Sequence, residues 1–136
     1  MVHALHETWR VTRDAVLDVR PVVGDPQVLV RDRDGSETVC GGLRWDSPDP
    51  EGHPEAEAAL AQVVADGRFV VAASRQFDWA DTFKSADDLA ETIHEEWERD
   101  MDEETTLQLM RGMRQAGRGA QAIIRQTIRI QLLRKV

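Results

Sequence analysis

Apolar residues recur at helical spacing in several stretches of the chain, and each stretch has a start or stop signal. The first stretch begins at Val2 and places Leu5, Trp9 and Thr12 on the same face. The second opens at Pro54, carries Ala56, Leu60, Val63 and Val64, and ends before Gly67, a suitable C-terminal cap. These patterns predict two helices.

Two further helices begin behind capping residues. Ser85, with Asp88 three residues on, forms a capping pair, and Asp102 suits the N-cap of the last helix. That last helix ends in the region of Gly117 and Gly119. In the third helix, Leu89, Ile93 and Trp97 form a stripe that is expected to face the core, and the fourth helix carries the apolar residues Leu107, Met110 and Met113.

A β-hairpin follows the first strand. Residues 27–33 and 36–43 flank Asp34-Gly35, a dipeptide that favours the positive φ angles of a two-residue turn. The polar residues 46–52, rich in proline and aspartate, are expected to form the longest loop.

Three single strands are predicted as well. Residues 15–19 form an apolar strand closed by Pro21, and residues 69–77 form a strand that extends irregularly to Phe83. Residues 121–133 alternate strictly. One face of this last strand carries Ile124, Ile128, Ile130 and Leu132, and the other carries Arg125, Thr127, Arg129 and Gln131. We expect the isoleucine face to join the core and the arginine face to meet solvent, a polar pocket or a partner.

The succession of elements predicts an α+β fold, with a mixed, mainly antiparallel sheet of about five strands packed with about four helices. The chain has 136 residues, which suits one domain spanning residues 1–136 with a core that needs no disulfide or metal. Its single cysteine, Cys40, rules out a disulfide framework and is typical of a reducing, cytoplasmic location. No apolar run is long enough to span a membrane.

The net charge of −8 argues against nucleic-acid binding, but the charges are unevenly distributed. Residues 78–104 contain twelve acids and only Lys84 and Arg99 as bases, whereas residues 105–136 contain seven bases and no acid. We expect the acidic helix and the basic strand to lie near one another and neutralise each other. A basic stripe that binds nucleic acid is the minor alternative.

Two blocks of the chain carry a family resemblance. Residues 3–21 lead a helix into Val16-Leu17-Asp18-Val19-Arg20-Pro21, and residues 77–136 run from Phe77-Asp78-Trp79 through an acidic helix to a final basic and apolar strand. Together they resemble the C-terminal half of class I S-adenosylmethionine-dependent methyltransferases. The turn before the first strand, residues 12–15, lacks the glycines usual in that family.

The resemblance implies a methyltransferase-like module without the half that holds the methyl donor. Donor binding in such folds uses a glycine-rich turn between a strand and a helix. Gly41-Gly42 opens no helix, and Gly117-Arg118-Gly119 precedes a strand. We therefore expect no cofactor, no S-adenosylmethionine binding by this chain, and association with a second copy or a separate protein chain.

Catalytic and metal-binding patterns are not recognisable. His3, His6 and Glu7 share a helix face but match no zinc motif, so a solvated face explains them better. His94, beside two glutamates, is a general base only if it points into a cleft. We predict no catalytic residue and no metal site.

Two hypotheses of function follow. The first is a non-catalytic methyltransferase-like module that acts through self-association or a partner chain, because an apolar strand edge at residues 16–19 must be covered. The second is a small ligand-binding protein or enzyme with a pocket for an anionic or aromatic molecule. The candidate ligand-binding residues are Asp18, Arg20, Trp45, Trp79, Arg125 and Arg129.

Overall fold

A computed structural model describes residues 2–22, 24–45, 53–97 and 99–136 of the chain. The described helices are α1 (Val2–Val11), α2 (His53–Ala65), α3 (Ala86–Glu96) and α4 (Glu103–Ala116). The described strands are β1 (Ala15–Pro21), β2 (Gln27–Arg31), β3 (Glu37–Trp45), β4 (Phe69–Phe83), β5 (Arg99–Met101) and β6 (Gln121–Lys135). The α+β prediction is confirmed, and the short β5 is the strand that the sequence patterns did not show. The predicted loop at residues 46–52 lies outside the described residues.

The strands form one mainly antiparallel sheet, as predicted. Its order is β1-β6-β2-β3-β5, and β4 also pairs with β6. The pairs β1–β6, β2–β3, β2–β6 and β3–β5 are all antiparallel. The strand pattern of residues 121–133 is therefore confirmed in β6, which pairs with three other strands.

The chain forms two compact units. The described residues of unit 1 are 2–22, 53–77 and 128–136, and those of unit 2 are 24–45, 78–97 and 99–127. β4 and β6 each contribute residues to both units, and β4 is one continuous strand through Phe83 rather than an irregular extension. That the chain is a single domain stays a prediction.

Unit 1 has its own small core. Leu60, Val63, Phe69 and Leu133 are buried together, with Leu5, Trp9, Val16 and Val64 packed against them. The cations of Arg68 and Lys135 lie 5.0 and 4.6 Å from the centre of a Trp9 ring, in the range of cation–π attraction. The apolar stripes predicted for α1 and α2 thus reach the core.

Helix α2 ends as its sequence predicts. Gly67 has φ +70°, its N–H donates to the Val64 carbonyl, and the Arg68 N–H donates to the Val63 carbonyl. Glycine adopts this left-handed backbone without steric cost, so the chain turns sharply from α2 into β4.

Unit 2 packs α3 and α4 on β2 and β3. Its buried core includes Val28, Val30, Leu43, Leu89, Ile93, Leu109, Ala122 and Ile124. Both predicted N-caps are confirmed: the Ser85 hydroxyl accepts from the Asp88 N–H at 3.1 Å, and the Asp102 carboxylate accepts from the Thr105 N–H at 2.8 Å. Residues 85 and 102 therefore fix where these helices begin.

Of the three apolar residues named on α4, only Met113 packs against the core. Leu107 and Met110 are 53% and 46% exposed, whereas Thr105 and Leu109 are buried. The small side chains of α4 let this helix lie close to the sheet. A Cβ added at Gly112 would lie only 3.0 Å from a Val30 methyl, so a larger residue there would crowd the sheet. The helix turns its small residues towards the sheet and so approaches it closely.

The predicted hairpin exists, but its turn is longer than two residues. Asp32 and Ser36 close the loop between β2 and β3, and the Asp32 carboxylate accepts from the N–H groups of Asp34 and Ser36. Gly35 alone in this loop has a positive φ, +90°. A two-residue turn with positive φ at both central positions is therefore replaced by a loop that the Asp32 side chain organises.

Candidate functional site

The two sides of the β1–β6 pair in unit 1 differ sharply in polarity. The register places Asp18 opposite Gln131 and Arg20 opposite Arg129. Directly opposed residues in an antiparallel pair point to the same side. We call this polar side, which also carries Val16 and Leu133, the inner face, because Leu133 and Val16 join the core formed with α1 and α2.

An ion-pair network occupies the inner face. Arg20 donates to Asp18 through Nε at 2.8 Å and through Nη2 at 3.0 Å, and the same Nη2 lies 3.5 Å from Glu57 of α2. Arg129 donates to the same Glu57 oxygen. The side chains of Arg20, Asp18 and Arg129 are at most 20% exposed. Each arginine is therefore paired with a carboxylate in a partly buried setting, as such charges require.

The opposite side of the same strands is apolar, half-buried along β6 and exposed at two residues of β1. We call it the outer face, and it is formed by Leu17, Val19, Pro21, Ile128, Ile130 and Leu132. Leu17 is 60% exposed and Val19 is 51% exposed. The charged Arg134, opposite Ala15, stands only at its margin. β4, which pairs with β6, adds exposed Val70, Val71 and Phe77 to unit 1.

This arrangement reverses the prediction for the part of β6 in unit 1. The arginine face, expected to meet solvent, a polar pocket or a partner, packs beneath α2, and Leu133 on that face is 1% exposed. The reason is that Glu57 supplies the carboxylate that lets Arg129 and Arg20 face a helix. In unit 2 the prediction is confirmed at Ile124, which is fully buried in the core.

The six predicted ligand residues do not form a single described cluster. Asp18, Arg20 and Arg129 come together in unit 1, whereas Trp79 and Arg125 belong to unit 2. The Trp45 side chain lies outside the described part of the structure. Their role in binding a ligand stays a prediction, and sequence reasoning missed Glu57.

Arg125 belongs to a separate network in unit 2. Glu37 accepts hydrogen bonds from both Arg125 and Arg31. The hydrogen bonds to Arg125 and Arg31 lower the pKa of Glu37, and the hydrogen bond with Glu37 raises the pKa of Arg125. Asp78 receives a hydrogen bond from Thr127 at 2.8 Å. Among the described residues, the arginines of β6 thus pair with Glu37 of β3 and Glu57 of α2, and Thr127 bonds to Asp78 of the acidic segment.

The described residues offer little catalytic chemistry. They contain no group of three or more metal-binding side chains. Burial raises the pKa of the Cys40 thiol, which disfavours the reactive thiolate. In the part of the chain that the structure describes, no helix has the length and hydrophobicity needed to cross a membrane.

The chain matches no family model, no curated protein and no solved structure. The resemblance to methyltransferases therefore stays a hypothesis that rests on the quoted residues. The structural features of the two units carry the functional argument.

Proposed function

We propose that this protein is a non-catalytic module that acts by self-association, through the outer face of unit 1 packed against the same face of a second copy. The observation that carries this proposal is the polarity of β1. Asp18 and Arg20 face the helices, while Leu17 and Val19, each more than half exposed, face outwards. Removing an apolar sheet face of this kind from water is favourable, so a partner that covers the face gains binding free energy.

A second copy is the best occupant because the face is uniformly apolar within its margin. A charged or polar partner would lose hydration without gaining ion pairs or hydrogen bonds there. A second copy presents an equal apolar face, and a two-fold axis lets one patch serve both partners. Two sheets can pack face to face at about 10 Å, with their side chains interdigitated.

The resemblance to methyltransferases adds one alternative partner to this proposal. If the chain is related to the C-terminal half of such enzymes, a separate donor-binding chain is the alternative occupant of the outer face. A cytoplasmic location, inferred from the single cysteine, is part of the same proposal.

The ligand-binding alternative has weaker support. Arg20 and Arg129 share Glu57, and Arg125 binds Glu37. These arginines already have carboxylate partners, so an anionic ligand would have to displace an acidic side chain. Self-association requires no such exchange.

Sedimentation velocity on single variants tests the proposed surface. Leu17→Lys places a charge at the more exposed of the two β1 residues, Leu17 and Val19, and is expected to convert a dimer into a monomer. Val39→Lys is the matched control, because Val39 lies on β3 in unit 2 and is 59% exposed. If both variants sediment alike, the outer face is not the surface of association.

A further inference from the structure

A groove in unit 2 separates α3 from β5. Its volume is about 400 Å³, which is within the range of binding sites for small molecules or single side chains. Ile93, Trp97 and Met101 supply an apolar wall, and His94 and Asp100 supply polar groups. The residues that line the groove are not those of the outer face.

The aromatic wall of the groove has a fixed neighbour. Trp79 lies against Trp97 with ring centres 6.1 Å apart and planes tilted by 38°. Such a pair restricts the orientation of both rings. An indole held in this way is a good partner for a cation, because its π face attracts positive charge.

Arg99 also lines the groove, and its guanidinium group contacts Leu43 and Asp25. Its side chain is 7% exposed and donates to the Leu43 carbonyl at 3.3 Å and to Asp25 at 3.4 Å. Burial lowers the pKa of Arg99, and Asp25 acts in the opposite direction. The exposed charge at the groove is therefore the carboxylate of Asp100.

A stripe of acids borders the groove. Asp87, Glu91 and Glu95 are exposed and follow one another at four-residue spacing on α3. At about 100° per residue this stripe lies on average roughly 80° around the helix from Ala90 and His94, which line the groove. None of the three acids forms an ion pair with another described residue.

We propose that the groove and the acidic stripe bind an extended basic segment of a partner protein, with one arginine or lysine side chain in the groove beside Trp97 and Asp100. The charge supports this occupant, because residues 78–104 contain twelve acids and two bases. Helix α3 has 11 residues and is roughly 16 Å long, so an extended peptide of about five residues spans it. Alternate basic side chains of that peptide would face the acids of the stripe.

Fluorescence anisotropy of a labelled peptide tests the proposal with the full chain. The probe is a nine-residue peptide of alternating arginine and glycine, and a peptide of alternating glutamate and glycine is the negative control. Binding should weaken with added salt, because exposed charges are screened. Glu91→Gln combined with Glu95→Gln should weaken binding roughly three- to tenfold.

A matched variant separates a local site from general attraction. Asp34→Asn combined with Glu55→Gln removes the same amount of charge at exposed positions that do not line the groove, and it should leave the affinity nearly unchanged. Equal weakening in the two double variants would overturn the proposal. So would a Glu91 and Glu95 variant that binds as tightly as the wild type.

Two further measurements sharpen the test. The first distinguishes binding of a peptide from binding of a small cation, and the second distinguishes the contribution of the groove from that of the acidic stripe. Spermine that binds as tightly as the peptide, with the same sensitivity to Glu91 and Glu95, would overturn the assignment to a peptide. His94→Ala alters the groove wall without removing an acid, and it should weaken peptide binding by a factor that does not depend on salt. No change in this variant would overturn the place given to the groove.

Discussion

Two arginine side chains from different strands converge on Glu57, in the inner face of unit 1. Arg129 donates to its carboxylate, and Arg20 lies 3.5 Å from the same oxygen. Without this carboxylate, Arg20 would keep Asp18 as its partner, and Arg129 would lose the carboxylate to which it donates. Glu57 therefore determines which side of the β1–β6 pair can pack beneath α2.

We predict that Glu57→Ala lowers the free energy of unfolding by about 1–3 kcal/mol, the range for lost hydrogen bonds to charged groups. Glu55→Ala on the same helix is the control, because Glu55 is exposed, and it should change stability by less than about 0.5 kcal/mol. Urea denaturation measures both. Equal losses would show that Glu57 has no special structural role.

Asp102 gives a pH-dependent prediction. Hydrogen bonds with the Thr105 hydroxyl and N–H lower the pKa of Asp102 below its ordinary value of 3.8. A group with a lowered folded pKa stabilises the protein above the unfolded value and loses this contribution as the pH falls through the folded value.

Asp102→Asn should therefore be less stable than the wild type at neutral pH, and the difference should shrink as the pH falls below about 3.8. Thermal unfolding at a series of pH values measures this, with Glu104→Gln in the same first turn as the control. A difference between wild type and Asp102→Asn that stays constant down to the lowest pH would contradict the role of the carboxylate charge.

Predictability at the residue scale depends on sequence separation. Ser85 and Asp102 could be recognised as caps because each bonds to an N–H three residues away. The pairing of Arg129 with Glu57 joins residues 72 positions apart, and no local pattern announces it. Since that pairing sets the face of the strand, the reversed face of β6 followed from a contact that the sequence did not reveal.

At the scale of elements, α4 and β3 approach so closely that glycine is required at one position. A Cβ built on Gly41 would lie 2.1 Å from the Thr105 hydroxyl oxygen, and the φ of Gly41 is +158°. Cys40 is the extra residue of a bulge, because Val28 pairs with Gly41 and Leu29 pairs with Val39.

Gly41→Ala should destabilise the protein by at least about 1–3 kcal/mol, through overpacking and backbone strain. Thr105→Gly removes the opposing side chain, so the double variant should be more stable than the sum of the two single losses predicts. Urea denaturation of the wild type, the two single variants and the double variant completes this double-mutant cycle. Strict additivity would contradict the close approach.

The same packing explains which element predictions were correct. The stripe of α3 was right because its large residues, Leu89 and Ile93, enter the core. In α4 the large residues Leu107 and Met110 stay outside, since Thr105 and Gly112 allow closer contact with the sheet. Hydrophobic spacing alone does not show when a small residue determines the contact.

At the scale of the whole chain, two surfaces with different chemistry suit two different partners. The outer face of unit 1 is apolar, and the groove region of unit 2 is acidic. The charge asymmetry could be read from the sequence, but the partners of the arginines could not, because Glu37 and Glu57 lie outside both charged segments. Self-association through the outer face and recognition of a basic segment can therefore succeed or fail independently.

Equilibrium sedimentation of the unmodified chain, over a range of micromolar concentrations, tests the central claim of self-association most directly. The proposal predicts a single species of twice the chain mass at the upper concentrations, with reversible dissociation on dilution. Raising the salt concentration should not dissociate this species, because its interface is apolar. A chain that stays monomeric throughout the concentration range would contradict the proposed function.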